Sequence, residues 1–266
     1  PSISYRTMTM HLIRYEHDGS IHHGILDGEE IAEIEGDFFG DLSRTGTTVP
    51  LSAVTLKAPT VPTKIVNLAG NYRSHIGGRA GPERPQPFLA PPSSVQDPGG
   101  PVVIPADDEN THYEGEMAVI IGKRCARVSQ AEVKDYILGV CAANDISARR
   151  WQGGETNGEK DVQWWRGKGA DTFSPFGPWI TTGLDYSNLH LVTRLNDEVV
   201  QDTNTSELIH GVDAIISFVS DVMTLEPGDA IFTGTSGTSR QMNPGDVVEV
   251  ELEGNGILSN PLVADS

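Results

Sequence analysis

The chain has 266 residues, 37% of them hydrophobic, with 29 Gly and 17 Pro. That is long for one core and short for two, and the Gly and Pro content suits a turn-rich β or α+β fold better than a helical bundle. A formal charge of −18 argues against nucleic acid or anionic membrane surfaces as partners, yet leaves room for a small anionic substrate wherever a bound cation inverts the local field.

No apolar run is long enough to span a membrane, and no leader of the secretory type is visible, so a cytoplasmic setting is expected. Cys125 and Cys141 are the only cysteines. They lie in apolar surroundings without metal-type spacing and read as reduced core residues.

Pro1 to Thr9 is polar and unpatterned and reads as a loose end. From Met10 to about Ile34, short alternating pieces are separated by Asp18-Gly19 and Asp27-Gly28, a strong hairpin signal. Residues 1–60 are therefore expected to form a small N-terminal β unit, with a less regular connection running up to Pro59 and Pro62. His22 and His23 would face opposite ways on a strand, so they are expected to be structural or exposed rather than a ligand pair. Lys64 to Gly70 reads as a buried strand leading into Asn71-Tyr72-Arg73-Ser74-His75. Gly77 to Gly100 is crowded with Gly, Pro and Ser and holds no sustained period, which predicts a mobile lid beside His75.

The stretch from His112 to Gly122 is the most informative one. Glu114 and Glu116 precede an apolar β-like run, and on a strand they share one face with Gly115 on the other. Burying two neighbouring carboxylates costs several kcal/mol unless a cation or protons compensate. Hard oxygen donors favour Mg²⁺, Mn²⁺ or Ca²⁺. The same spacing also fits a solvated edge strand with two exposed acids.

Ser129-Gln130-Ala131-Glu132 is a capping-box signature, predicting a helix that ends near Gly139. Val140 to Ala143 then reads as a short buried strand ending in Asn144-Asp145. Asp145 is either a third acid at a shared site or the cap of the turn into Ile146-Ser147-Ala148-Arg149. Leu191 to Val200 predicts a hairpin turning near Asn196-Asp197, and Ile209 to Met223 carries helical spacing. Two Pro-Gly-Asp turns, at Pro227 and Pro244, are assigned no chemistry.

Taken together, His112-Tyr113-Glu114-Gly115-Glu116, Asn144 to Arg149, Lys168 to Phe173, Gly177 to Ile180, Leu225 to Asp229 and Thr233-Gly234-Thr235 resemble the fumarylacetoacetate hydrolase family, in family order. The resemblance implies an α+β, mainly β fold. That fold is a mixed β-sandwich roll with peripheral helices, here over residues 61–266 as the catalytic domain, usually assembled as a homodimer. It implies Glu114, Glu116 and Asp145 as ligands of one divalent ion, Mg²⁺ or Mn²⁺, with Ca²⁺ as a substitute. His75 matches the family general base, and Lys168 the catalytic lysine near metal and substrate. Gln152 and Thr235 match substrate contacts, and Tyr72 and Arg73 lie in the same turn as His75 and are placed with them.

Three departures stand out. The acid that often follows the histidine by three residues is Gly78, with Glu83 as a replacement candidate. The family's Phe-Leu-Lys-Pro-Pro segment reads Phe88-Leu89-Ala90-Pro91-Pro92. Thr235 to Arg240 departs from the usual pattern and brings Arg240 near the pocket.

The expected function is metal-dependent hydrolysis of a C–C bond in an acylpyruvate or related 1,3-diketo acid through a stabilised enolate. The alternatives are decarboxylation, isomerisation or hydration of 2-oxo acids on the same site. A non-catalytic metal-binding β domain is the reading from another class; it would not need Lys168, Gln152 and Thr235 beside the acids.

Overall fold

The computed structural model describes residues 8–108, 110–153 and 160–265. Of the polar N-terminal stretch, residues 1–7 lie outside the described residues. The Asp-Gly punctuation works as read: β1 (His11–His17), β2 (Ser20–Asp27) and β3 (Glu30–Glu35) form consecutive hairpins, with Asp18, Gly19 and Gly28 in the left-handed region. The connection expected to be irregular instead contributes β4 (Ser43–Pro50), paired with β3, and β5 (Thr55–Leu56), paired with β1. Its Thr-rich run has β propensity, and it forms an edge strand exposed at every position but Val49. His22 pairs with Glu33 at 3.0 Å, and His23 packs edge-on against Phe38, so both are structural.

β6 (Ile65–Leu68) is fully buried, as expected. The stretch predicted as an irregular lid holds β7 (Pro87–Ala90), antiparallel to β6, and β8 (Val95–Gln96). β7 survives its Pro-rich flanks because it is an edge strand, where a missing N–H is tolerated. Residues 77–86 and 97–100 retain the irregular character. After β9 (Val102–Ile104) and β10 (Thr111–His112) comes β11 (Gly115–Ile121), buried along its whole length between two neighbours.

The helix predicted from Ser129 is not formed. Glu132 does accept from the Ser129 backbone N–H and hydroxyl, but only one 3-10 turn follows, over Val133–Asp135. The chain then enters β12 (Ile137–Asn144) three residues earlier than expected. Sheet pairing decides this: Ile137 sits opposite Ile121 on β11, and two buried apolar faces outweigh a short helical propensity.

β13 (Ser147–Ala148), α1 (Arg149–Gly153), β14 (Ser174–Thr181), β15 (His190–Leu195), β16 (Glu198–Asn204), α2 (Val212–Ser220), β17 (Ala230–Phe232), β18 (Val247–Leu252) and β19 (Gly256–Ala264) complete the order. The β15–β16 hairpin turns at Asn196-Asp197, both at positive φ. α2 buries Val212, Ile215, Ile216 and Val219, the spacing that predicted it.

The large mixed sheet runs β4-β3-β2-β1-β14-β12-β11-β17-β6-β7, with β5 on β1 and β8 on β14. One face packs on α2 and on the second sheet, β16-β15-β18-β19-β9, through Val119, Val140, Leu191, Val250 and Leu252. The other face carries Leu12, Ile65, Ile120, Cys141 and Phe232. This is the expected sandwich, mainly β with few helices. Both cysteines are buried and free. No helix among the described residues is long and apolar enough to cross a membrane.

Candidate active site

β6, β11 and β12 end together, and their ends bring Asn67, Glu116 and Asp145 to one place. Gly115 faces away from the site and lies so close to the second sheet that an added Cβ would sit 1.8 Å from Thr193 Oγ1. That alternation, read in the sequence, puts Glu114 and Glu116 on the same side. Asn144 Oδ1 accepts from the Glu114 N–H at 2.8 Å, and the Asp145 N–H donates to the Glu114 carbonyl at 2.9 Å. Asp145 is therefore tied to Glu114 through the backbone rather than serving as a turn cap.

Ligand oxygens of Glu114, Glu116 and Asp145 all lie within 4.8 Å of one another, and all three residues are buried. At that spacing and an effective dielectric of about 20, each carboxylate pair repels by about 3.5 kcal/mol. Lys168 answers part of this. Its Nζ, 2% exposed as a residue, donates to Glu114 Oε2 at 2.6 Å and to Asp145 Oδ2 at 2.7 Å. The turn that delivers it is capped by Asp161, whose carboxylate accepts from the Arg166 and Gly167 N–H groups. Arg149, from α1, donates to Glu114 Oε1 at 2.5 Å.

These two cations divide the acids unevenly. Burial would raise the Glu114 pKa, but Lys168 and Arg149 overcome it and hold the group well below the usual carboxylate range. Burial and Glu114 raise Asp145 despite Lys168. Glu116 is pushed far up by burial and by Asp145 and Glu114. Its Oε2 accepts from the Gly234 N–H at 2.7 Å, while its Oε1 is buried without a partner. Lys168 itself is desolvated, yet Asp145 and Glu114 keep it charged. An all-oxygen triad whose Glu116 Oε1 is buried without a partner fits a divalent ion of the Mg²⁺ or Mn²⁺ type.

A cavity of about 490 Å³ opens over this triad and is lined by His75, Arg79, Phe88, Glu114, Asp145, Arg149, Gln152, Trp164, Lys168 and Thr235, among others. Of the residues expected at the site, His75, Lys168, Gln152 and Thr235 line it with Glu114 and Asp145, and Glu116 sits behind them. Tyr72 does not line it: it is fully buried, its hydroxyl unpartnered and its pKa raised by burial and by Glu116. Arg73 is exposed and outside the cavity, whose lining includes Arg79 instead. Arg240 pairs with Glu198 on the surface instead of approaching the pocket. Ala90 is a core residue.

Among the described residues His75 has no acid partner. Its Nδ1 lies 2.8 Å from the Gly237 carbonyl oxygen, which can only accept. Glu83 lines a different groove, with Arg127 and His210. Gln152 Oε1 accepts from Arg149 Nη1 at 2.9 Å, which leaves its NH₂ as the polar end for a ligand. The Thr235 hydroxyl donates to the Gly115 carbonyl and accepts from Gln201 Nε2.

Several residues of this site carry little signal in the sequence, Arg79 and Trp164 of the lining among them. Arg149 stands there only as the end of a motif. Asn67 donates from Nδ2 to Asp145 Oδ1 at 2.9 Å, and its only signal is a polar residue inside an apolar run. Ser239 accepts from Arg149 Nη2 at 3.0 Å and bonds His112 Nδ1 at 2.9 Å. Gln201 carries no local signal.

The chain belongs to the fumarylacetoacetate hydrolase family: residues 64–263 match Fumarylacetoacetate (FAA) hydrolase C-terminal. Residues 10–59 match Rv2993c-like, N-terminal. Protein Rv2993c of Mycobacterium tuberculosis is 42% identical over 244 residues, covering 90% of this chain and 88% of that protein. The mitochondrial oxaloacetate tautomerase Fahd2a of Rattus norvegicus is 36% identical over 228 residues, 81% of this chain and 71% of that one. Among solved structures, 5-carboxymethyl-2-hydroxymuconate delta-isomerase from Mycobacterium smegmatis matches with a TM-score of 0.89 and 38% identity, over 96% of this chain and 100% of that one. Maleylpyruvate hydrolase from Sphingobium sp. SYK-6, in complex with manganese(II) and pyruvate, matches with a TM-score of 0.78 and 29% identity, over 97% and 100%. The tautomerase, the isomerase and the hydrolase among these relatives thus differ in reaction.

Proposed function

We propose that this chain is a divalent-metal-dependent enzyme that moves a proton on an enolisable 2-oxo acid, as an isomerase or tautomerase. The observation that carries this reading is His75. Because the Gly237 carbonyl can only accept, Nδ1 carries a proton, and Nε2 is the ring nitrogen left to exchange a proton with a substrate. A base held by a carbonyl, with no orienting carboxylate among the described residues, favours proton transfer at carbon over activation of water.

Glu114, Glu116 and Asp145 would hold the ion, Mg²⁺ or Mn²⁺, which when bound supplies Lewis-acid charge toward a substrate oxygen. His75 takes the proton from the carbon beside the keto group and returns it further along the chain. Lys168 adds fixed positive charge against the negative charge that develops. Gln152 donates from its NH₂ to a substrate oxygen, with Arg149 holding the amide in that orientation. Phe88 and Trp164 limit water at the reacting carbons.

Hydrolytic C–C cleavage of an acylpyruvate is the second reading. It draws on the same residues and is favoured by the likeness to a maleylpyruvate hydrolase. The homodimer and the cytoplasmic setting expected from the sequence belong to this proposal as well, and light scattering checks the first of them.

The test compares enol–keto conversion of oxaloacetate, double-bond shift in a 2-hydroxydienoate and cleavage of an acylpyruvate, each with Mn²⁺ and with chelator. Proton-transfer activity should require metal and fall roughly 10²-fold or more in His75→Ala. Faster acylpyruvate cleavage would promote the hydrolase. Activity insensitive to both chelator and His75→Ala would sink the site.

A further inference from the structure

A second groove of about 460 Å³ adjoins the catalytic cavity, and the two share Ala69, Gln86, Phe88 and Trp164 in their walls. Among the described residues its lining contains no Asp, Glu, Lys or Arg. The contrast is sharp, because the catalytic cavity holds two acids, three cations and His75. Three large apolar side chains are left open to solvent along the groove: Leu89 at 48%, Val162 at 86% and Trp165 at 69%. Scattered apolar exposure is ordinary, but three such residues on one uncharged groove continuous with a catalytic cavity mark a binding surface.

The backbone points the same way. Trp164 is held at φ 56°, in the left-handed region that a bulky residue avoids. Its ring packs edge-on to Phe88, with centroids 5.1 Å apart. The next turn closes through the Lys168 N–H on the Trp164 carbonyl at 2.8 Å. The strained residue thus forms the boundary between the groove and the turn that carries the catalytic lysine. Strain of this kind persists only where surrounding structure over-determines it, and it gathers at ligand clamps.

We infer that this groove receives an uncharged apolar tail of the substrate. The 2-oxo acid handled by this chain then carries an aromatic or branched aliphatic group at the end remote from its carboxylate. The inference rests on the 2-oxo acid reading of the cavity. Phe88 and Trp164 meet the tail where it leaves the charged cavity, and Leu89, Val162 and Trp165 cover its end.

The test titrates the full chain loaded with Mn²⁺ with three acids: 2-oxobutanoate, its 4-phenyl derivative and 2-oxopentanedioate. The phenyl acid should bind roughly tenfold tighter than 2-oxobutanoate, the yield of burying one ring face. That ratio should drop below about threefold in Trp165→Ala and in Leu89→Asp, two exposed positions where folding is not at risk. A ratio near one, a ratio unmoved in both variants, or a larger gain for 2-oxopentanedioate would each overturn the tail subsite. Failure of all three acids to bind would instead overturn the 2-oxo acid reading, and the subsite with it. Sedimentation of the wild type and Trp165→Ala supplies the remaining arm: a change in assembly mass would make the groove a contact with a second copy and overturn the inference.

Discussion

Asn67 is the residue whose removal tests the site most directly. Its side chain is fully buried, and its Nδ2 donates to Asp145 Oδ1 at 2.9 Å while its Oδ1 has no partner. In Asn67→Ala the chain loses one hydrogen bond to a charged acceptor, worth roughly 1.5–3 kcal/mol, and sheds an unsatisfied acceptor that itself costs about 1 kcal/mol or more. The net loss of stability is therefore about 1 kcal/mol, or roughly 2–4 °C in Tm for a chain of this size. The effect on the ion should be larger. Asp145 is freed to rotate between Lys168 and solvent, and groups that orient a metal ligand are worth about 10–100-fold in affinity. Calorimetric titration of chelator-treated protein with Mn²⁺, beside thermal melts without metal, separates the two. A Tm that falls as expected with an unchanged Mn²⁺ affinity would show that Asn67 only fills space, and would refute its orienting role.

Three further outcomes are expected. Gly115→Ala should cost about 3 kcal/mol from overpacking and Thr193→Ala should restore most of it, since the added methyl would otherwise sit 1.8 Å from Thr193 Oγ1; denaturant melts of the single and double variants read this, and a stable single variant would contradict the close approach. Burial lowers the pKa values of His11 and His23, the latter also through Arg14. The unfolded chain therefore binds more protons below about pH 6.5, and stability is full above that pH and is lost as pH falls. His23→Leu should flatten the fall in Tm between about pH 7 and pH 5, and an unchanged slope would count against it. Cys125 and Cys141, both fully buried with thiolates disfavoured by desolvation, should resist a thiol reagent in the native protein and react together on denaturation.

Local pattern carried a good part of this protein. The Asp-Gly turns, the two-residue spacing of Glu114 and Glu116 around Gly115, and the helical spacing from Val212 to Val219 each state which side of an element is buried. That information survives whatever the element packs against. The ordered motifs then placed the chain in its family and supplied Lys168, Gln152 and Thr235 as neighbours of the acids.

The tertiary structure decided the rest, wherever the outcome depended on a partner distant in sequence. The run from Ser129 to Gly139 held a helix signal, but pairing with β11 overrode it. The Pro-rich run after Gln86 had little propensity of its own and became a strand because β6 offered a free edge. Asn67 meets Asp145 across 78 positions and Lys168 meets Glu114 across 54, contacts that no local period encodes. Arg73, Arg79 and Arg240 are alike in sequence; only the path of the chain puts Arg79 in the cavity and leaves the other two outside. His75 shows the limit most clearly. Gly78 revealed that the usual acid is missing, but only the fold could supply what stands in its place, a backbone carbonyl that sets the tautomer without adding charge.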